Sequence, residues 1–357
     1  MKNKIKSFLK LFFYNFLFLV VFIFIIELFF GHWFKNSLQN KLASERNVYK
    51  VYKTDFKYLK NTSLYIKNNF GLRVETIRDN IEFPDIVFIG GSTINQKFLN
   101  YNETVVGIVK KNFNKLKIIN AGVDGMSIKG NLNSFELWFD KIKNFNPKYY
   151  IVTLGVNDRY MIETFKFRDF IDNLEEASHK DNLREYIQSN SFFITNGRVL
   201  KSALYLKYGI DFNIKKVKKN HVYVERNRNE FISFIEIENK YKELDNVEKL
   251  KYENFSKWYF IKLDELAKKI TMRKSIPIYI TQTTGYGHSY ESYIIAKTII
   301  DYCEMTKIYC IDVAKKVNFE FDDFYDESHL NIKGTKKMAN FLINELKKFI
   351  TIENFQI

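Results

Sequence analysis

The most apolar stretch of the chain lies close to its N-terminus. Residues 11–30 read LFFYNFLFLVVFIFIIELFF, in which Asn15 and Glu27 are the strongly polar members. A run of about 20 apolar residues is long enough to cross a hydrocarbon layer of about 30 Å. A buried core helix would show a polar stripe, and a cleaved signal peptide would have a shorter apolar run followed by small residues. The pattern therefore predicts an uncleaved transmembrane helix over 11–31, with Glu27 near its outer end and within reach of water.

The charges on either side of this helix predict its orientation. Lysines crowd the short tail 1–10, and a rival set of Lys35, Lys41 and Arg46 follows the helix. A short lysine-rich tail stays in the cytoplasm, whereas a long domain can be translocated whatever its charge. We therefore expect a single-pass protein of the cell membrane, with a cytoplasmic N-terminus and the rest of the chain outside the cytoplasm. The polar, mixed segment 32–79 is predicted to be a stalk or linker.

From residue 80 to 350, short apolar runs rich in β-branched residues alternate with segments of helical spacing. Alternating strands and helices form right-handed crossovers and a mainly parallel sheet that is covered on both faces. The pattern predicts an α/β domain over 80–350 with a charged, mostly helical insertion at 160–274. This insertion leaves the carboxyl edge of the sheet, where it could cap a site, pack on the domain or contact the membrane. The predicted strands are IVFIG (86–90), KIIN (117–120), YYIVTLG (149–155), IPIYIT (276–281) and IYCIDV (308–313).

Composition and charge exclude some classes of function. The formal charge of +15 would suit an anionic membrane, an acidic glycan or nucleic acid. The lysines are scattered, however, and no nucleic-acid motif accompanies them, so no nucleic-acid partner is expected. Cys303 and Cys310 have neither metal-ligand spacing nor a disulfide framework. They could pair in an oxidising compartment, but we interpret them as small buried hydrophobic residues. No metal or other cofactor is expected.

Polar residues follow four of the predicted strands, at the edge where parallel sheets bind ligands. Taken singly, each group has an ordinary interpretation, such as a phosphate-binding loop, a turn or a helix cap. The spacing of Asp326 and His329 lets one short turn supply a base and the carboxylate that orients it. The four groups are Gly90-Gly91-Ser92-Thr93, Asn120-Ala121-Gly122-Val123-Asp124-Gly125, Gly155-Val156-Asn157-Asp158 and Asp326-Glu327-Ser328-His329.

Together and in this order, the four groups resemble the motifs of the SGNH or GDSL hydrolases. The resemblance covers roughly residues 80–345 apart from the insertion, and Asn69-Phe70-Gly71-Leu72-Arg73 is similar to a motif of membrane-anchored bacterial members. It implies a three-layer α/β/α, flavodoxin-like fold and a serine ester hydrolase. One departure is that the usual Gly-Asp-Ser is here Gly-Gly-Ser, a form that also occurs in the family.

The resemblance also implies roles for individual residues. Ser92 would be the nucleophile, His329 the base and Asp326 the group that orients the imidazole. The oxyanion hole would use the backbone N–H groups of Ser92 and Gly125 and the side chain of Asn157. Gly122 has a less suitable spacing for this role.

His288 is a further candidate, because it follows the strand IPIYIT on a loop at the same sheet edge. It could contact a substrate, or it could be an ordinary exposed loop histidine. The expected partner of the site is an acyl ester, most simply an O-acetyl ester of a cell-envelope glycan or lipid. Two alternatives remain open: an O-acyltransferase that uses the same residues on an envelope polysaccharide, and an inactive envelope assembly or binding protein.

Overall fold

The helices and strands follow the predicted alternation. A computed structural model describes residues 2–31, 33–34, 45–77, 79–162, 183, 186–188, 190–210, 215–217 and 231–354. The helices are α1 (Lys2–Phe30), α2 (Ser92–Asn95), α3 (Val105–Asn112), α4 (Ile128–Leu137), α5 (Phe192–Tyr208), α6 (Phe234–Glu243), α7 (Asn246–Thr271), α8 (Tyr290–Thr306), α9 (Val313–Lys316) and α10 (Ile332–Asn354). The strands are β1 (Val48–Phe56), β2 (Leu59–Lys67), β3 (Ile86–Gly90), β4 (Ile118–Gly122), β5 (Tyr149–Thr153), β6 (Lys215–Val217), β7 (Ile276–Ile280) and β8 (Tyr309–Ile311).

Five of these strands form the central parallel sheet. Its order is β4-β3-β5-β7-β8, and every neighbouring pair is parallel. After β3 the chain adds β4 at one edge, and it then crosses to the other edge of β3, where it adds β5, β7 and β8 in turn. This is the flavodoxin-like strand order. Ligands of such sheets bind at the carboxyl ends of the strands, next to the strand from which successive strands are added in opposite directions. Here that strand is β3, which ends two residues before Ser92.

Apolar side chains cover both faces of the sheet, as the predicted fold requires. Val87 and Ile89 of β3 face a core built with α4, α7 and α8, while Phe88 between them faces a second core built with α3 and α10. Alternate side chains of a strand point to opposite faces, so a strand buried on both faces is apolar throughout. The three-layer α/β/α fold with a mainly parallel sheet is confirmed.

Residues 48–67 differ from the expected stalk, because they form an antiparallel hairpin that belongs to the folded domain. β1 pairs with β2 from Val48 opposite Lys67 to Phe56 opposite Leu59, and β6 pairs with β1 in parallel. The inner face of the hairpin buries Tyr52 and Phe56 against aromatic and aliphatic side chains of the domain. Lysines between these apolar residues, such as the exposed Lys53 and Lys60, make the segment polar on average, so the sequence does not reveal two half-buried strands. The expectation of a stalk is wrong for this part of 32–79.

α1 contains the predicted apolar segment. Its window Leu9–Phe30 has a mean hydropathy of 2.5 and no buried residue, so it is long and apolar enough to cross a membrane. We expected water to solvate the carboxylate of Glu27, but the structure shows that protein groups also bind it. Its carboxylate accepts hydrogen bonds from the Ser191 hydroxyl at 2.5 Å and from the backbone N–H groups of Phe192 and Phe193 at 2.9 and 3.2 Å. The Trp33 indole donates a fourth at 3.1 Å.

The two cysteines are joined in a disulfide between α8 and β8. Their Cα atoms lie 6.0 Å apart, because a short connection returns the chain from the end of α8 to the edge of the sheet. The interpretation of Cys303 and Cys310 as unpaired residues is therefore wrong, although Cys303 is buried as expected.

The described part of the insertion 160–274 is mainly helical. Its last helix, α7, packs on the sheet through the buried side chains of Phe255, Tyr259 and Leu263. The predicted cap over the site falls largely on 163–182 and 218–230, which lie outside the described residues.

Candidate active site

Two glycines bring the hydroxyl of Ser92 to the carboxyl edge of the sheet. β3 ends at Gly90, whose φ of 153° favours glycine, and Gly91 precedes the first turn of α2, which begins at Ser92. A Cβ atom on Gly90 would lie 2.9 Å from the carbonyl oxygen of Thr153, and one on Gly91 would lie 2.5 Å from Nδ2 of Asn157. The sharp turn and the close approach of the Asn157 amide both need residues without a side chain.

Ser92, His329 and Asp326 form a chain of hydrogen bonds. Ser92 Oγ lies 2.7 Å from His329 Nε2, and His329 Nδ1 lies 2.8 and 2.9 Å from the two carboxylate oxygens of Asp326. The same carboxylate accepts hydrogen bonds from the backbone N–H groups of Ser328 and His329 at 2.9 and 2.8 Å. Asp326 is buried, and its partners hold it in one orientation. The three side chains singled out in the sequence therefore come together within hydrogen-bonding distance.

The environment of His329 favours its protonated form. Burial alone would lower the pKa of His329, but the charge and hydrogen bond of Asp326 more than offset this effect, so the pKa is raised above its usual value. The ring of Tyr325 stacks on the imidazole at 5.5 Å, and the ring of Phe56 from β1 stacks on Tyr325 at 5.3 Å. The hairpin therefore forms part of the wall behind His329.

The loop after β5 holds the Asn157 amide beside Ser92. Asn157 Nδ2 donates a hydrogen bond to the carbonyl oxygen of Met126 at 2.9 Å. The next residue, Asp158, is buried and accepts hydrogen bonds from the backbone N–H groups of Ile128 and Gly155 at 2.8 and 3.0 Å and from the Tyr259 hydroxyl at 2.8 Å. Asp158 thus ties this loop to α4 and α7 and fixes the position of Asn157.

Gly125 and Gly122, the two glycines after β4, differ in the use of their backbone N–H groups. Gly122 N–H donates to the side chain of Asn120 at 2.9 Å, and a Cβ atom on Gly122 would collide with the backbone nitrogen of Asn95. Gly125 has a φ of 77°, and no hydrogen bond within the described residues uses its N–H. Of these two glycines, Gly125 is the one whose N–H has no hydrogen-bond partner among the described residues, and its role in an oxyanion hole stays a prediction.

Arg73 supports the segment that follows Ser92, a role that the motif in the sequence did not reveal. Its guanidinium is buried, stacks on the ring of Tyr65 at 5.2 Å and donates hydrogen bonds to the carbonyl oxygens of Asn95 and Leu99. Burial lowers the pKa of Arg73 to about 10. These contacts join the start of the domain to the end of α2. No local sequence pattern could have predicted the hydrogen bonds, because Asn95 and Leu99 lie more than twenty residues away.

A second group of charges lies beside the site. Asp124 forms an ion pair with Lys97 at 2.7 Å and accepts a hydrogen bond from the Asn95 amide at 2.7 Å. Burial would raise the pKa of Asp124, but Lys97 and Asn95 outweigh it, so the pKa lies below its usual value. The charge of Asp124 raises the pKa of His329 and that of Lys97 lowers it. The sequence analysis did not predict the ion pair between Lys97 and Asp124.

His288 is buried rather than exposed. Its Nε2 atom lies 3.0 Å from the Thr283 hydroxyl, and its ring packs edge-on against Phe234 at 5.2 Å. Burial lowers the pKa of His288 to about 4, so its ring is neutral near pH 7. The interpretation of His288 as an exposed loop histidine is wrong, and its contacts are those of a packed core residue.

The site offers a hydroxyl, an imidazole and amide donors as its reactive groups. Among the residues that the structure describes, no group of three or more His, Cys, Asp and Glu side chains is arranged to hold a metal ion. The geometry suits attack of a hydroxyl on a carbonyl carbon, with general base assistance and amide donors near the developing oxyanion.

Several crystal structures resemble the chain at low sequence identity. A lipolytic protein of the G-D-S-L family from Veillonella parvula DSM 2008 is 14% identical, with 72% of this chain and 96% of that chain covered and a TM-score of 0.41. The psychrotrophic esterase EstA from Pseudoalteromonas sp. is 12% identical, with coverages of 75% and 99% and a TM-score of 0.38. An acetylxylan esterase from Geobacillus stearothermophilus is 10% identical, with coverages of 74% and 94% and a TM-score of 0.40.

A family model matches the sequence, whereas a search of curated proteins found no relative. The family model of the GDSL-like lipases and acylhydrolases matches residues 83–342, which is more than half of the chain and includes all four motifs. The chain therefore belongs to the GDSL-like lipase/acylhydrolase family.

Proposed function

We propose that this protein is a serine ester hydrolase in which Ser92, His329 and Asp326 form the catalytic triad. The observation that carries the proposal is the 2.7 Å distance between Ser92 Oγ and His329 Nε2, because a nucleophile and its base must be within hydrogen-bonding reach. The buried Asp326 on the other ring nitrogen supports the same assignment. It favours the tautomer with the proton on Nδ1, which leaves Nε2 free to accept the proton of Ser92.

The reaction would proceed in two steps through an acyl-enzyme. Ser92 Oγ attacks the ester carbonyl carbon while His329 Nε2 takes its proton, and His329 then returns that proton to the departing alcohol oxygen. In the second step, His329 takes a proton from water, which attacks the acyl group and releases the acid and Ser92. Asp326 remains ionised throughout and stabilises the imidazolium that forms in each step.

Three amide donors would stabilise the negative charge on the carbonyl oxygen. They are the backbone N–H groups of Ser92 and Gly125 and the side-chain amide of Asn157. Asn157 Nδ2 packs against Gly91 immediately before the nucleophile, and one of its two N–H groups is held by the carbonyl oxygen of Met126. This hydrogen bond fixes the orientation of the amide group, so the second N–H has a fixed direction, as oxyanion stabilisation requires.

The proposed location is the outer side of a membrane, with α1 as the anchor. The apolar window Leu9–Phe30 supports the anchor, and the disulfide between Cys303 and Cys310 supports an oxidising compartment outside the cytoplasm. An anchored esterase in that place meets the glycans and lipids of the cell envelope. We propose O-acetyl esters of these molecules as its substrates.

The proposal is tested with the purified full-length protein in detergent. We expect it to release acetate from p-nitrophenyl acetate and to react with a fluorophosphonate probe, and peptide mapping should place the probe on Ser92. A boiled sample should do neither. A folded protein that leaves both the ester and the probe untouched would contradict the proposed activity.

Replacement of Asn157 by alanine should strongly lower kcat and have little effect on the stability of the fold. Loss of one oxyanion donor costs about 3 to 4 kcal/mol, so kcat should fall about 10²- to 10³-fold while KM changes little. Initial rates and thermal unfolding check this result. Asn112→Ala, which removes an exposed amide at the end of α3, is the matched control and should keep its activity. Equal rates for the two variants would remove Asn157 from the proposed oxyanion hole.

A further inference from the structure

Helix α5 carries large apolar side chains on its outer face and buries small polar ones on its inner face, apart from Leu206, which is 51% exposed and lies on the side of Ser202. Thr195 and Ser202 are buried on the side that packs toward the domain, where α5 lies against β1. Phe193, Leu200, Leu204 and Tyr208, at spacings of seven, four and four, lie on the opposite side of the helix, where Leu204 is half-buried and the other three are exposed. Leu200 and Tyr208 are both 61% exposed. A helix that faces water has the reverse arrangement.

The exposed apolar face of α5 begins where α1 ends. Glu27 of α1 accepts the hydrogen bonds of Ser191, Phe192 and Phe193 at the first turn of α5, and the rings of Phe30 and Phe192 lie 5.5 Å apart. These contacts join the last turns of α1 to the first turn of α5. The start of α5 is therefore fixed at the level where the apolar segment of α1 ends.

The exposed aromatic side chains continue from one helix to the other. Phe29, Phe30 and Phe34 at the end of α1 are exposed, and so is Phe193 at the start of α5. Aromatic residues concentrate at the level of the lipid headgroups. Lys207, on the flank of the apolar stripe, is exposed as well, and a basic flank suits the anionic lipids to which a chain of charge +15 is attracted.

We propose that α5 lies in the headgroup region of the membrane on the side of the catalytic domain, with the stripe Phe193, Leu200, Leu204 and Tyr208 inserted among the lipids. This inference rests on the membrane attachment proposed above. A large exposed apolar stripe on an otherwise soluble domain marks an interaction surface, and its continuity with α1 selects a lipid bilayer as the occupant. The domain would then be attached to the membrane at two places, through the spanning helix α1 and through the surface helix α5.

The test measures the depth of nitroxide labels on the full-length protein in nanodiscs of phosphatidylethanolamine and phosphatidylglycerol. Leu200→Cys reports on the stripe, Phe18→Cys in α1 is the reference for lipid, and Met272→Cys, at a position that is 81% exposed after α7, is the reference for water. The native cysteines are paired and do not take up the label. We expect the label on Leu200→Cys to collide several-fold more often with oxygen, and several-fold less often with a water-soluble nickel chelate, than the label on Met272→Cys.

Each other outcome overturns the proposed position of α5. A label on Leu200→Cys that behaves like the one on Met272→Cys would show that the stripe faces water. A label shielded from both oxygen and nickel would show that protein, for instance a second copy of the chain, covers it. If the label on Phe18→Cys also samples water, the membrane attachment fails together with the surface helix. Hydrolysis of p-nitrophenyl acetate is measured on the same samples, so loss of the proposed esterase function is recognised separately.

Discussion

Replacement of Ser92 by alanine is expected to lower kcat by about 10⁴- to 10⁶-fold, because the proposed reaction begins with attack by this hydroxyl. Alanine fits the half-buried position at the start of α2, so the protein should keep its thermal stability. The side chain of His329 loses one hydrogen bond and keeps the two contacts with Asp326. Rates on p-nitrophenyl acetate and labelling with the fluorophosphonate probe provide the measurement.

Ser328→Ala is the matched control for Ser92→Ala. Ser328 lies in the same turn as His329, and its contact with Asp326 uses the backbone N–H, which alanine retains. Ser328→Ala should therefore hydrolyse the ester and take up the probe like the unaltered protein. The proposed role of Ser92 would be abandoned if Ser92→Ala kept a substantial fraction of the activity that Ser328→Ala shows.

Replacement of Asp326 by asparagine should lower kcat by about 10⁴-fold, because an amide can stabilise the wrong tautomer of the imidazole. Its effect on pH dependence is a second, independent readout. In the unaltered protein the pKa of His329 is raised by Asp326, so kcat/KM should increase with pH through an apparent pKa above the usual value for histidine. In Asp326→Asn the charge is lost and the effect of burial remains, so the residual activity should titrate at a lower pH.

Glu327→Gln is the matched control for Asp326→Asn. It neutralises the neighbouring carboxylate in the same turn, which is half-buried and has no hydrogen bond to His329 among the described contacts. Its rate and its pH profile should resemble those of the unaltered protein. An unchanged pH profile in Asp326→Asn, with a normal profile in Glu327→Gln, would mean that Asp326 does not control the protonation of His329.

The fold and the candidate residues of the site could be predicted because their signals are local. Each strand of the sheet is a short apolar run, and the first three motifs lie at the ends of β3, β4 and β5, so parallel strands bring Ser92, Gly125 and Asn157 to one edge. Asp326 and His329 are three residues apart and share one turn. Their roles in catalysis stay predictions until the variants are measured.

The features that could not be predicted depend on partners far away in the chain. β1 and β2 mix aromatic residues with lysines, so only the packing of Tyr52 and Phe56 against distant residues identifies them as half-buried strands. The contacts of Arg73 with α2 and of Glu27 with α5 join segments that no periodicity connects. Burial of His288 depends on Phe234 of the insertion, whose position relative to the sheet edge has no signal in the sequence.

The ring stack from Phe56 through Tyr325 to His329 makes the minimal stable fragment longer than the family match at 83–342. A fragment trimmed to those residues would lose the hairpin and expose Phe98 and Tyr325, which the hairpin buries. It would also lose Leu346, a buried residue of α10. Expression trials of a soluble version should therefore begin ahead of β1 and extend through α10, since a shorter product risks aggregation through these uncovered aromatic rings.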